Sequence, residues 1–122
     1  MEKYRQTIGK QGENKAKNYL KRRGYQILET NYRTKAGEID LIAKEKDCLV
    51  FVEVKTRTNT EYGTPAEAVS FYKQQHMIKS ARYYLARQGG ECECRFDVIE
   101  VQMSPKSWFR FTKINHLKNV LQ

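Results

Sequence analysis

The sequence predicts an α/β domain in which a sheet is flanked by helices, in the order αβββαββα. Residues 49–54 (Leu49, Val50, Phe51, Val52, Glu53, Val54) are nearly all apolar and β-branched or aromatic. That composition suits a strand covered on both faces in the middle of a sheet. Tyr4–Arg23 and Ala66–Gln88 instead repeat apolar residues at spacings of three and four, as helices lying on a core do. A chain of 122 residues is long enough for one such core, so a single domain spanning 1–122 is expected.

In the first helix the apolar face is Ile8, Gly12, Ala16, Tyr19 and Leu20. Gly24, after Lys21, Arg22 and Arg23, marks its end. Gly9 and Gly12 each cost about 1 kcal/mol against alanine inside a helix. They imply a late helix start or a close approach by backbone or ligand. Tyr25–Arg33 is half polar and reads as an edge strand. Residues 37–43 and 48–55 form the next two strands, an antiparallel hairpin. The polar loop Thr56–Pro65 follows directly from Lys55. The second helix, with a break near Ser70, carries the stripe Met77, Ile78, Ala81, Tyr84 and Leu85 and stops at Gly89 and Gly90. Cys94–Val101 is a fourth strand, apolar on alternating sides. Ser107–Lys113 is a fifth, and Ile114–Leu121 closes the chain as a short helix.

Twenty-three basic and 14 acidic side chains give a net charge of +9, and eight basic residues against two acids fall within residues 1–25. Such an excess favours a polyanion, nucleic acid first. No apolar run approaches the ~20 residues of a membrane span. Met1–Asn14 has no apolar core of a signal peptide. Cys48, Cys92 and Cys94 are odd in number and lack zinc-ligand spacing. A cytoplasmic protein with reduced thiols and no membrane partner is expected.

Glu53 and Lys55 lie two residues apart, on one strand face, about 6.6 Å from each other along the strand. A hairpin through Lys44–Cys48 brings Asp40 beside Glu53. An Asp and a Glu on neighbouring strands make a hard oxygen site suited to Mg²⁺ or Mn²⁺, with the Val54 carbonyl available to complete it. Lys55 would then face the same water or phosphate. Glu13 adds a carboxylate if the first helix packs over the site, and Glu38 is a weaker candidate. A structural ion pair at a strand end is the plainer account of Asp40, Glu53 and Lys55 taken alone, since Glu-x-Lys is common.

Gly37-Glu38-x-Asp40, followed after thirteen residues by Glu53-x-Lys55 and preceded by a helix bearing Glu13, resembles the PD-(D/E)XK nuclease superfamily. The likeness is closer to the small YraN-like family of bacterial proteins, described as candidate endonucleases. It rests on Gly9-x-x-Gly12-Glu13-x-x-Ala16, Gly24-Tyr25, Asn31-Tyr32-Arg33, the runs 37–43 and 50–57, and Arg95-Phe96-Asp97-Val98. The archaeal Holliday-junction resolvases are similar in arrangement. The resemblance implies a restriction-endonuclease-like core with a mixed central sheet. It also implies that Asp40 and Glu53 bind metal, that Lys55 is the catalytic lysine, and that Glu13 is the helix acid. Lys73 and Gln74 fall where the second helix of such folds reaches the site. One departure is Ile39, where the motif carries proline.

Arg5, Lys10, Lys15, Arg57 and Lys73 are the candidate phosphate contacts, and a solvated basic face is the plainer account of each. Arg33 and Lys35 flank the site in sequence, and Tyr62 in the polar loop could stack on an unpaired base, although a surface tyrosine is the plainer account. Three functions follow. The first is a Mg²⁺- or Mn²⁺-dependent endonuclease acting on DNA, on branched or flapped structures, working as a homodimer where two strands are cut. The second is a non-catalytic nucleic-acid-binding module on the same fold. The third is an assembly factor that uses Trp108–Leu121 to contact a protein.

Overall fold

The computed structural model describes residues 2–57, 70–90, 92–103 and 111–121, with side chains for 9–57, 70–90, 92–103 and 113–121. Its elements are α1 (Glu2–Arg22), β1 (Gln26–Thr34), β2 (Gly37–Glu45), β3 (Cys48–Arg57), α2 (Phe71–Gln88), β4 (Cys94–Met103) and β5 (Phe111–Leu117). The five strands form one sheet in the spatial order β1-β2-β3-β4-β5. All neighbours pair antiparallel except β3 and β4, which are parallel and flank α2 in sequence. The sheet is therefore mixed, and β3 is its middle strand.

β3 is buried on both faces because each face meets a helix. Val50 and Val52 pack with Ala16 and Leu20 of α1. Leu49 and Phe51 pack with Ala81 and Tyr84 of α2. The Phe51 ring stacks on Phe96 at 5.2 Å and meets Tyr84 edge-on at 6.1 Å. α2 starts where Ser70 caps it, its hydroxyl accepting the Lys73 N–H, and it ends at Gly89 in the left-handed conformation at φ 88°. The expected break near Ser70 is thus a cap. Residues 58–69, with the Thr56–Pro65 loop beyond Arg57 and Tyr62, lie outside the described residues, as do Trp108 and Phe109.

The expected closing helix over Ile114–Leu121 does not form. Ile114–Leu117 continues β5 in an antiparallel ladder with β4. Its side chains follow a period of two. Ile114 packs on the α1 side of the sheet, while Leu117 packs with Met77 and Val98 on the other. Past β5, the N–H of Asn119 bonds to Asp97 at 2.9 Å and that of Val120 to the Phe96 carbonyl at 2.7 Å. These bonds to β4 take the place of helical ones. Ile114, Leu117 and Val120 are partly buried against the core.

Gly12 shows why α1 sits where it does. A Cβ there would lie 1.8 Å from the Thr56 hydroxyl oxygen and 2.9 Å from its Cβ. The helix backbone can rest on the end of β3 only because that Cβ is absent. Gly9, by contrast, meets nothing within 4 Å.

A second constraint is the wholly buried Asp97 on β4. Its carboxylate accepts hydrogen bonds from His116 Nε2 at 2.7 Å, Arg95 Nε at 3.0 Å and the Asn119 N–H. Arg95 also donates to Glu45 at 3.0 Å and to the Tyr25 hydroxyl at 2.7 Å. Burial alone would raise the carboxyl pKa. The bonds from His116, Arg95 and the Asn119 backbone outweigh it and hold Asp97 below the ordinary carboxylate range.

Gly12→Ala should destabilise the fold by about 1–3 kcal/mol in denaturant titration, as overpacking does, with partial recovery in the Gly12→Ala, Thr56→Ala double variant. An acid with a depressed pKa contributes stability above its unfolded value and loses it as pH falls through the folded one. Asp97→Asn should therefore cost about 3 kcal/mol at pH 7. The gap to the parent should shrink as pH falls below the ordinary carboxylate value toward the depressed one of Asp97, measured as unfolding midpoints across pH.

Candidate active site

The β2–β3 ladder runs from Glu45↔Cys48 to Leu41↔Val52 and stops there. One step further, Asp40 and Glu53 face each other across a fork. Asp40 holds the fork open: its carboxylate accepts the Val54 N–H at 2.8 Å, where a strand carbonyl would otherwise serve. Asn31 of β1, next to this point, takes a positive φ of 51°.

Both helices reach the fork. Contact between Gly12 and Thr56 sets α1 so that Glu13 lies within electrostatic range of Asp40 and Glu53. From the opposite layer, Lys73 of α2 places its ammonium on Glu53 Oε2. Lys55 Nζ lies 3.6 Å from the same oxygen. Glu53 is 4% exposed, whereas Asp40 and both lysines are half-buried. α2 is anchored over this end of the sheet by the β1–β2 turn. There the Thr34 hydroxyl lies 2.9 Å from that of Ser80, and the His76 ring meets the Ala36 carbonyl.

The protonation pattern is that of crowded carboxylates. Burial first, and Glu53 second, push Asp40 up to about 7, against the Val54 N–H, which pulls the other way. Burial raises Glu13 as well, with Glu38 and Glu53 adding to it, while Asn31 opposes the shift through a hydrogen bond. Burial and the neighbouring Lys73 charge lower Lys55. Burial would lower Lys73 too, but Glu53 more than offsets it, so Lys73 stays firmly cationic.

Asp40, Glu53, Lys55 and Glu13 are thus brought together with Lys73 of α2, and the half-buried Gln74 follows Lys73 on that helix. Val54 contributes its N–H to Asp40. Lys10 is exposed near Glu13. Lys15 lies further along α1, beside Tyr19. Arg5 is on α1 with its side chain outside those described. Arg57 pairs with Glu100, both largely buried, a structural use the sequence did not signal. Arg33 is spent on Glu38 at 2.9 Å. The role of Asn31 also escaped the sequence, its only trace being the Asn31-Tyr32-Arg33 run.

Among the described residues no three His, Cys, Asp or Glu side chains converge closely enough to hold a metal ion. What the fork offers is a pair of carboxylates with two lysine ammoniums, Lys73 and Lys55, on Glu53.

Comparison with known proteins places the chain. Residues 12–101 match the model of the uncharacterised protein family UPF0102. The chain belongs to that family. It is 47% identical over 116 residues to a UPF0102 protein of Caldanaerobacter subterraneus subsp. tengcongensis, covering 94% of each chain. It is similarly 50% identical over 115 residues to one of Alkaliphilus oremlandii (92% and 95%). A third, from Clostridioides difficile, is 48% identical over 109 residues (88% and 90%). The UPF0102 match takes in Glu13, Asp40, Glu53, Lys55 and Lys73, so the whole fork lies within it.

Between the ordinary carboxyl value and about 7, folded Asp40 keeps a proton that the unfolded chain releases. Stability therefore falls as pH rises through that window. Asp40→Asn, which cannot ionise but still accepts the Val54 N–H, should melt several degrees above the parent at pH 8 in chelator. The two should melt alike near pH 3.5, as scanning calorimetry would read directly.

Proposed function

We propose that this protein is a Mg²⁺- or Mn²⁺-dependent endonuclease of the PD-(D/E)XK type, hydrolysing phosphodiester bonds in DNA at branched or flapped structures. The observation that carries the reading is the fork itself. Two carboxylates are brought together beside Lys55 at the open end of a central hairpin, where burial first and the Glu53 charge second raise Asp40. Structural ion pairing alone would lower that pKa. A restriction-endonuclease-like core is the corresponding reading of the mixed sheet between two helices.

The donor set fits a hard cation. Mg²⁺ is commonly held by one or two carboxylates and keeps several waters, so a third protein carboxylate is not required. Asp40 and Glu53 would hold it, with the Val54 carbonyl as the further candidate ligand. When bound, such an ion neutralises phosphate charge and lowers the pKa of its water. The chain's own residues do the rest. Lys55, with its pKa lowered by burial, orients the attacking water or the phosphate oxygen and meets the charge that develops there. Lys73 moves from Glu53 to the phosphate when the carboxylates find another cation. Glu13 stands by as a proton acceptor, its pKa raised toward working pH. Symmetric cutting of two strands would take two copies of the chain.

One observation favours a second reading. With Lys73 already on Glu53, the fork is partly neutralised without metal, as a non-catalytic nucleic-acid-binding module with a net charge of +9 would have it. Divalent-metal dependence separates the two.

Titration calorimetry with Mg²⁺ and Mn²⁺ should show binding by the parent and none by a folded Asp40→Asn, Glu53→Gln variant. Cleavage of a branched DNA should fall about a hundredfold or more in Asp40→Ala and in Lys55→Ala. It should also fail at low pH as the carboxylates take up protons and release metal. Binding of DNA without any metal uptake would select the non-cutting module.

A further inference from the structure

Away from the fork, Lys15, Asn18, Tyr19 and Arg22 follow one another on α1 at spacings that share one helix face, and Arg23 continues them in the turn beyond its end. With Ile114 of β5 they line a cavity of about 330 Å³. Every charge on its wall is positive. Arg23 lies over the Tyr19 ring at 3.9 Å, which fixes the guanidinium plane while leaving its N–H groups unspent. The ring is fixed in turn. Its hydroxyl lies 3.0 Å from His116 Nδ1, and His116 Nε2 is held by Asp97. Among the described residues neither Arg22 nor Arg23 has an acidic partner.

Basic residues in a last helical turn ordinarily offset the helix dipole. Lys21, on the outer face, can do that, and Lys15 lies two turns too early to take part. Convergence on one hollow and an arginine clamped by stacking are features of a built anion site. We propose that this pocket binds a phosphate group of nucleic acid, either a terminal phosphate or one within the backbone. From Glu13 to Arg22 is about 14 Å along the helix. A strand rising ~3.4 Å per nucleotide would reach the pocket about four nucleotides from the carboxylates. The ligand class rests on the nucleic-acid part of the proposed function, but the pocket needs no metal and no cleavage.

The test uses the full chain in EDTA and a fluorescent single-stranded oligothymidylate, with either a 5′-phosphate or a 5′-hydroxyl, followed by anisotropy across salt. Arg22→Gln, Arg23→Gln should bind about tenfold more weakly than the parent, with a salt slope smaller by about 0.7, the value for one lost phosphate contact. Lys17→Gln, Lys21→Gln, which removes equal charge from outside the pocket, should weaken binding less than about threefold. Given that contrast, tighter parent binding of the phosphorylated strand assigns the pocket to a terminal phosphate, and equal binding to a backbone phosphate. Equal weakening by the two double variants, no weakening by the arginine pair, or no binding by the parent would overturn the proposal. Metal titration of the same preparations tells failure of this pocket from failure of the carboxylate fork.

Discussion

The hydrogen bond from the Val54 N–H to the Asp40 carboxylate, 2.8 Å long, sits where a strand ladder should continue and does not. A buried backbone N–H must find an acceptor, and satisfying it with a side chain releases the opposing strand. β2 and β3 part at that point. The bond also fixes where Asp40 points, which sets its carboxylate against Glu53. Each helix then adds a charged group at the opening, Glu13 from one layer and Lys73 from the other. The fork exists because one acidic side chain does the work of a main-chain carbonyl.

The two layers are held to this arrangement by different means. α1 is placed by an absence, the missing Cβ of Gly12 against Thr56. α2 is placed by polar anchors, Ser80 and His76, on the β1–β2 turn. At the far edge of the sheet, Asp97 gathers Arg95, His116 and the final backbone turn, and through them Tyr19, Tyr25 and Glu45. Two of the polar clusters among the described residues thus contrast. One, around Asp97, is mutually satisfied and ties elements together. The other, at the fork, carries carboxylates that repel each other.

The central strand, the hairpin and the pairing of Asp40 with Glu53 were legible in the sequence. Residues 49–54 are apolar on both faces, and the turn at 44–48 leaves one register that buries them. The close approach at Gly12 was legible as one of two alternatives. Misreading Ile114–Leu121 as a helix has a clear cause. Ile114, Leu117, Val120 and Leu121 recur at helical spacings, and nothing local shows that β4 needs a partner on its outer edge. Long-range pairing overrode local pattern there. The fates of Arg57 and Asn31 were hidden for the same reason. Glu100 is 43 residues from Arg57 and Glu13 is 18 from Asn31, and no local rule links either pair.

The mixed sheet also has a history in time. β1, β2 and β3 are joined by short turns, so their meander closes with small loss of chain entropy. The parallel β3–β4 pair, by contrast, joins residues such as Leu49 and Cys94, 45 apart, and waits for α2 to form and dock. A chain folding in this order brings Asp40 and Glu53 together before Lys73 arrives. The nascent hairpin holds its two carboxylates with only its own Lys55 beside Glu53, and the crossover helix delivers a second ammonium to that carboxylate.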